Sequence, residues 1–160
     1  MRAPICLLIV AILSASACGQ PVDLTKSLQV FDVATGWYDA GIVDGQNKLV
    51  PQITFKLKNA SNHTLSTLQV NALFRHGNDK DEWGSAFVTA AGSAGLAPGA
   101  ATSTLVMRSQ QGYKSTEPRQ QMLHNSHFVD AKVELSAKYG SIQWQRLGDY
   151  QVERKLITGQ

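Results

Sequence analysis

The sequence predicts an all-β fold: an antiparallel sandwich of about seven to nine short strands, with at most one or two short helices. Three observations predict it. Apolar and polar residues alternate along several stretches, as the side chains of a half-buried strand must. Turn-forming residues interrupt those stretches at short intervals. The 160 residues, 43% of them hydrophobic and 17% charged, suit one domain with one core and not a disordered or multidomain chain.

Residues 1–17 stand apart from the fold. Arg2 and the amino terminus make a small positive region, an uncharged apolar run follows from Ile5 to Leu13, and Ser14, Ala15, Ser16 and Ala17 are all small. That order is the layout of a secretory signal peptide, and the run is too short to span a bilayer as a helix. Ala15-Ser16-Ala17 predicts cleavage between Ala17 and Cys18. Small residues followed by Cys at the end of an apolar run also resemble a bacterial lipoprotein signal, although Ala15 stands where such signals most often have Leu. The resemblance implies a diacylglyceryl group on Cys18, and Gly19 behind it implies the outer membrane. The alternative is the same cut without lipid, giving a secreted or periplasmic protein. Cys6 falls in the removed segment, so Cys18 would be left without a thiol partner, which favours its modification.

Residues 18–27 read as the modified Cys and a polar tether, and 28–160 as the sandwich. Weaker strands fit 28–33 and 38–43. Ile53, Phe55 and Leu57 then alternate with Thr54, Lys56 and Lys58, and Asn59-Ala60-Ser61-Asn62 is a turn. Leu68, Val70, Ala72 and Phe74 alternate with Gln69, Asn71 and Arg75 up to the turn at His76-Gly77-Asn78-Asp79. A weaker strand fits 85–90. Residues 92–99, with three Gly and Pro98, read as a loop before a strand over 101–108. Residues 117–124 predict a short helix, with Thr116 as N-cap and Pro118 in its first turn. Val129 to Tyr139 alternate without a break. Gly140-Ser141 predicts a two-residue hairpin turn into a strand over 142–147, with another over 150–157. The expected core is Ile53, Phe55, Leu57, Leu68, Val70, Phe74, Val129, Val133 and Leu135.

The stretch from Ile53 to Phe74, with Lys58-Asn59-Ala60-Ser61 at its turn, and Leu96-Ala97-Pro98-Gly99 before Thr102 to Met107, resembles the FxLYD-type immunoglobulin-like domains of bacterial envelope proteins. The Leu-Tyr-Asp signature itself is absent, since Arg75-His76 follows Phe74. The resemblance implies an immunoglobulin-like sandwich and no catalytic residues.

The remaining residue classes exclude more than they assign. A net charge of +3, scattered along the chain, does not point to nucleic acid. No nucleophile elbow, paired carboxylates or phosphate loop is present, and no motif demands a cofactor. His124 and His127 lie three apart, but no further ligands accompany them, so no metal is expected. Asp79-Lys80-Asp81-Glu82 lacks the spacing of a calcium loop and reads as a solvated turn. Asn59-Ala60-Ser61 and Asn62-His63-Thr64 match a glycosylation sequon by coincidence in a polar turn. Trp37, Tyr38 and Trp83 remain as possible partner-binding aromatics, against the reading that Trp37, Trp83 and Trp144 fill the sandwich core. The expected function is a non-catalytic, membrane-anchored interaction or assembly module with an envelope protein partner, facing the periplasm or the cell surface. The alternative is a small-molecule or ion binder.

Overall fold

The computed structural model describes residues 21–157. The predicted cleavage site, Ala17 and Cys18, lies outside the described residues. Among the described residues nine strands and two four-residue helices form a β-sandwich. In order these are α1 (Leu24–Ser27), β1 (Leu28–Val43), β2 (Gln46–Asn59), β3 (Leu68–His76), β4 (Gly84–Ala91), β5 (Leu105–Arg108), β6 (Tyr113–Ser115), α2 (Arg119–Met122), β7 (Ala131–Tyr139), β8 (Gln145–Gln151) and β9 (Leu156–Ile157). One sheet runs β5-β2-β1-β9, with β6 also on β2; the other runs β4-β3-β7-β8. All pairs are antiparallel except β1 with β9.

The alternating residues place the core. Ile53, Phe55 and Leu57 from one sheet meet Leu68, Val70, Ala72, Phe74, Val133, Leu135 and Ala137 from the other, and all are fully buried. Val129 is the exception to the expected core, being 40% exposed. The ladder between β3 and β7 ends at the His76–Ala131 pair. Before it the Val129 backbone turns to the Tyr113 hydroxyl, so strand alternation no longer directs the side chain.

The two weak strands at 28–33 and 38–43 are one strand, and a bulge explains the broken pattern. Phe31 pairs with Lys56 and Ala34 with Thr54, so β1 carries one extra residue, with Asp32 at φ 51°. Such an insertion shifts the phase of alternation. Leu28 and Val30 face inward before it; Thr35 and Trp37 do so after it, opposite Ile53 and Pro51. The β1–β2 turn, Asp44-Gly45, has positive φ at both residues, the type I′ pattern that Asp-Gly favours.

Other expected elements shift. The 101–108 strand keeps only Leu105–Arg108, and the last two strands become β8 and the two-residue β9. Gly140 has the expected positive φ of 53°, and Ile142 N–H donates to Tyr139 O across the turn. The hairpin is not a two-residue one, because Ala137 pairs with Gln145 and the residues between lie off the ladder. The helix is shorter than 117–124, follows Pro118 and has no side-chain cap, so Thr116 does not serve as one. The expected tether also ends early. Leu24 is fully buried, its N–H donating to Gln145 Oε1 at 2.8 Å, and Val22 N–H donates to the Tyr139 hydroxyl at 2.6 Å. Asp23 caps α1 by accepting from Thr25 N–H at 3.0 Å.

Candidate functional site

Two of the three aromatic residues singled out in the sequence converge. Trp37 is fully buried, and its ring centroid lies 6.1 Å from Trp83, 5.5 Å from Tyr113 and 4.6 Å from Phe128. Trp83, at the end of the β3–β4 loop, is half-buried and packs on His76 at 5.0 Å. Trp37 is therefore no surface anchor. The β1 bulge turns it inward, where it fills the end of the sandwich beside Trp83. Its indole N–H has no acceptor among the described residues.

Tyr38 points to the other face of the same sheet. The Arg108 guanidinium lies 3.6 Å above its ring and donates through Nε to Gln52 Oε1. Gln52 is buried although it faces outward. A groove of about 290 Å³ runs beside it, lined by Ala34, Thr54, Val106, Arg108 and Ile157 among others. The stacked guanidinium already occupies one face of Tyr38, a cation–π contact.

Below the aromatic cluster is a smaller cavity of about 190 Å³, lined by Tyr113, Ser115, Glu117, Met122, Asn125 and Phe128 among others. Both Glu117 carboxylate oxygens accept from Asn125 Nδ2 at 3.2 Å, and Glu117 N–H donates to Ser115 Oγ at 3.1 Å. Lys114 at the rim is held by Asp44 at 2.7 Å. The Tyr113 hydroxyl donates to Val129 O and accepts from Val129 N–H, both at 2.9 Å, and bonds the His76 ring. Burial raises the Tyr113 phenol above its ordinary value, and the Val129 N–H only partly offsets that. So held, the hydroxyl ties β6 to the backbone ahead of β7 and to the end of β3. His124 and His127 are both exposed, and no group of three His, Cys, Asp or Glu converges among the described residues.

The exposed aromatics lie elsewhere. Phe87 on β4 is 58% exposed and Trp144, in the β7–β8 loop, is 42% exposed. Their rings meet edge to face at 6.1 Å, and Lys138 Nζ lies 5.1 Å from the Trp144 ring. Trp144 thus does not join the core with Trp37 and Trp83. Sequence reasoning passed over Phe87. Its signal was a large ring in the outward phase of a strand that is otherwise small and uncharged.

No family model matches the chain, and no curated protein matches it. Among solved structures, the chain is similar to the X-ray structure of the Northeast Structural Genomics Consortium target SoR45. The identity is 13% over 81% of this chain and 89% of that one, with a TM-score of 0.46.

Proposed function

We propose that this chain is an exported, non-catalytic lipoprotein, held by a lipid on Cys18 and acting as an interaction module in a bacterial envelope, with the outer membrane as its site. The carrying observation is the order of residues 1–18: positive start, apolar run, small residues, Cys. The domain adds support. Val22 is already tied to Tyr139, so the chain from Cys18 to the packed domain is short, reaching about 14 Å if extended. A domain tied so closely stays near the bilayer, where it would meet membrane-bound partners. An FxLYD-type immunoglobulin-like identity belongs to the same proposal. Fractionation tests it. The wild type should enter the detergent phase and carry a lipid-sized mass increment on its N-terminal peptide, and Cys18→Ser should move to the soluble fraction with the same melting temperature. A soluble wild type with unmodified Cys18 would replace anchoring by plain secretion.

The 190 Å³ cavity favours a second reading, a binder of small organic cations. Glu117 is its carboxylate, bonded to the neutral Asn125. Titration with a small primary ammonium ion separates the readings: binding lost in Glu117→Gln supports the second, and no heat change in wild type removes it.

A further inference from the structure

The chain enters the domain at one end of the sandwich. Val22 N–H donates to the Tyr139 hydroxyl and Leu24 N–H to Gln145 Oε1, on either side of the loop from β7 to β8. Two other loops meet there: Gly140 N–H donates to Ser66 O, and Thr67 N–H to Gly92 O. These three loops, residues 60–67, 92–99 and 140–144, contain no Asp or Glu. Asp23, where the chain enters, faces Lys26 at 3.3 Å. The other end of the same sheet differs. There the β3–β4 loop carries Asp79, Asp81 and Glu82, with Asp130 beside it, its O accepting from Gly77 N–H.

The exposed rings belong to the end without carboxylates. Of the large apolar side chains exposed among the described residues, Phe87 and Trp144 are the aromatic ones, and they pack edge to face. Trp144 immediately precedes Gln145, the residue that holds Leu24. Lys138 points to the same outer face, since Val133, Leu135 and Ala137 point inward, and its ammonium lies 5.1 Å from the Trp144 ring. The outward carboxylate of β7, Glu134, is further along the strand and faces Arg146 at 3.6 Å.

We propose that Phe87, Trp144 and Lys138 rest on the surface of a phospholipid bilayer and set how the domain lies on it. The inference rests on the anchoring reading, because a lipid on Cys18 fixes where the bilayer is. The chain from Cys18 to Val22 reaches about 14 Å if extended, so the anchor keeps this end of the sandwich against the headgroups. Tryptophan is favoured at that depth, where its ring meets apolar groups and its N–H meets water. Lys138 can lay its stem along the rings and hold its ammonium among the phosphates. Carboxylates in the same place would be repelled by anionic headgroups, and the loops at this end have none. The carboxylate-bearing end faces away. A protein partner would require no such relation between the rings and the point where the chain enters.

The test places the full chain, exported from a bacterial host, in vesicles of phosphatidylethanolamine and phosphatidylglycerol, with and without brominated acyl chains. Bromine quenches tryptophan emission at short range. The wild type should lose the part of its emission that belongs to Trp144, read as the difference from Trp144→Phe, while the emission of Trp144→Phe itself stays unchanged. Phe87→Ser, at an exposed position, should reduce the quenching without moving the melting temperature. Vesicle flotation shows that the chain is attached. An attached chain whose Trp144 ignores bromine overturns the proposal, whether that face is bare or covered by another protein. So does equal quenching of wild type and Trp144→Phe, which would put another face on the bilayer. The mass of the N-terminal peptide decides the anchoring reading separately. If Cys18 is unmodified, its thiol is joined to a maleimide-bearing phospholipid in the same vesicles and the quenching is read again. Quenching of Trp144 then upholds the bilayer-seeking face while natural anchoring falls, and its absence overturns the face as well.

Discussion

Asn59 shows how much one side chain organises. It is fully buried, yet Nδ2 donates to His63 O at 2.7 Å and Leu96 O at 2.8 Å, while Oδ1 accepts from Ser61 N–H at 3.0 Å and Ser61 Oγ at 2.7 Å. It thus pins the turn after β2 to the loop before β5, and its burial withholds this sequon from the folded surface. Asn59→Ala should destabilise the protein by about 1–3 kcal/mol in urea unfolding, the range for an unmade buried hydrogen bond. Charge acts at this scale too. Burial pushes the Asp39 carboxyl up, but the Arg119 guanidinium and the Gly41 N–H together hold it below its ordinary value. A carboxylate with a depressed folded pKa stabilises the fold above its unfolded pKa, and that contribution is lost as pH falls through the folded value. Carbon-13 titration should find Asp39 ionising below the ordinary aspartate value, and Arg119→Gln should raise it. An Asp39 midpoint unmoved by that substitution would remove the ion pair from the account.

At the scale of elements, the small pieces matter as much as the long strands. Helix α1 has only four residues, too few to be stable alone. It holds because Leu24 enters the core and Asp23 caps its first turn. Leu24→Ala should cost about 2–5 kcal/mol, similar to a core position on β2. A cost below about 1 kcal/mol would mean that residues 22–27 are an undocked tether after all. Two glycines make a paired test of why glycine is used. Gly140 sits at φ 53° with open space where a Cβ would go, so Gly140→Ala should cost only the backbone penalty, about 1–2 kcal/mol. At Gly112 a Cβ would lie 2.0 Å from Leu49 O, so Gly112→Ala must displace backbone between β2 and the loop before β6. The thermal melting point should fall further for Gly112→Ala than for Gly140→Ala.

For the whole molecule, the sandwich is held by contacts far apart in sequence. Strand β3 pairs with β7, and β1 with β9, each pair separated in sequence by several other elements. Loop closure must precede such pairs, so refolding from urea should take milliseconds to seconds. A microsecond phase carrying the full tryptophan signal would contradict this, because Trp37 is buried only when both sheets are assembled. The two ends of the described chain converge on β1 and β8: Leu24 N–H reaches Gln145, Thr35 Oγ1 donates to Gln151 O, and Trp37 N–H donates to Lys155 O. These ties close the sandwich.

By itself the sequence determined the fold class and the core of β2, β3 and most of β7. Alternation with period two is a local property: once Ile53, Phe55 and Leu57, or Leu68, Val70 and Phe74, share a face, burial of that face follows. The Gly140 turn was legible for the same reason, since a φ preference belongs to one residue, as was the Asp44-Gly45 pair that went unread. Tertiary structure decided the rest. The Asp32 bulge set the phase of β1, and with it Trp37 inside and Tyr38 outside, because a bulge exists only against a partner strand. Val129 left the core because its backbone found Tyr113, distant in sequence, and Trp144 because the chain runs on past its turn to meet Phe87. Residues 22–27 became part of the domain through Tyr139 and Gln145 at the far end of the chain.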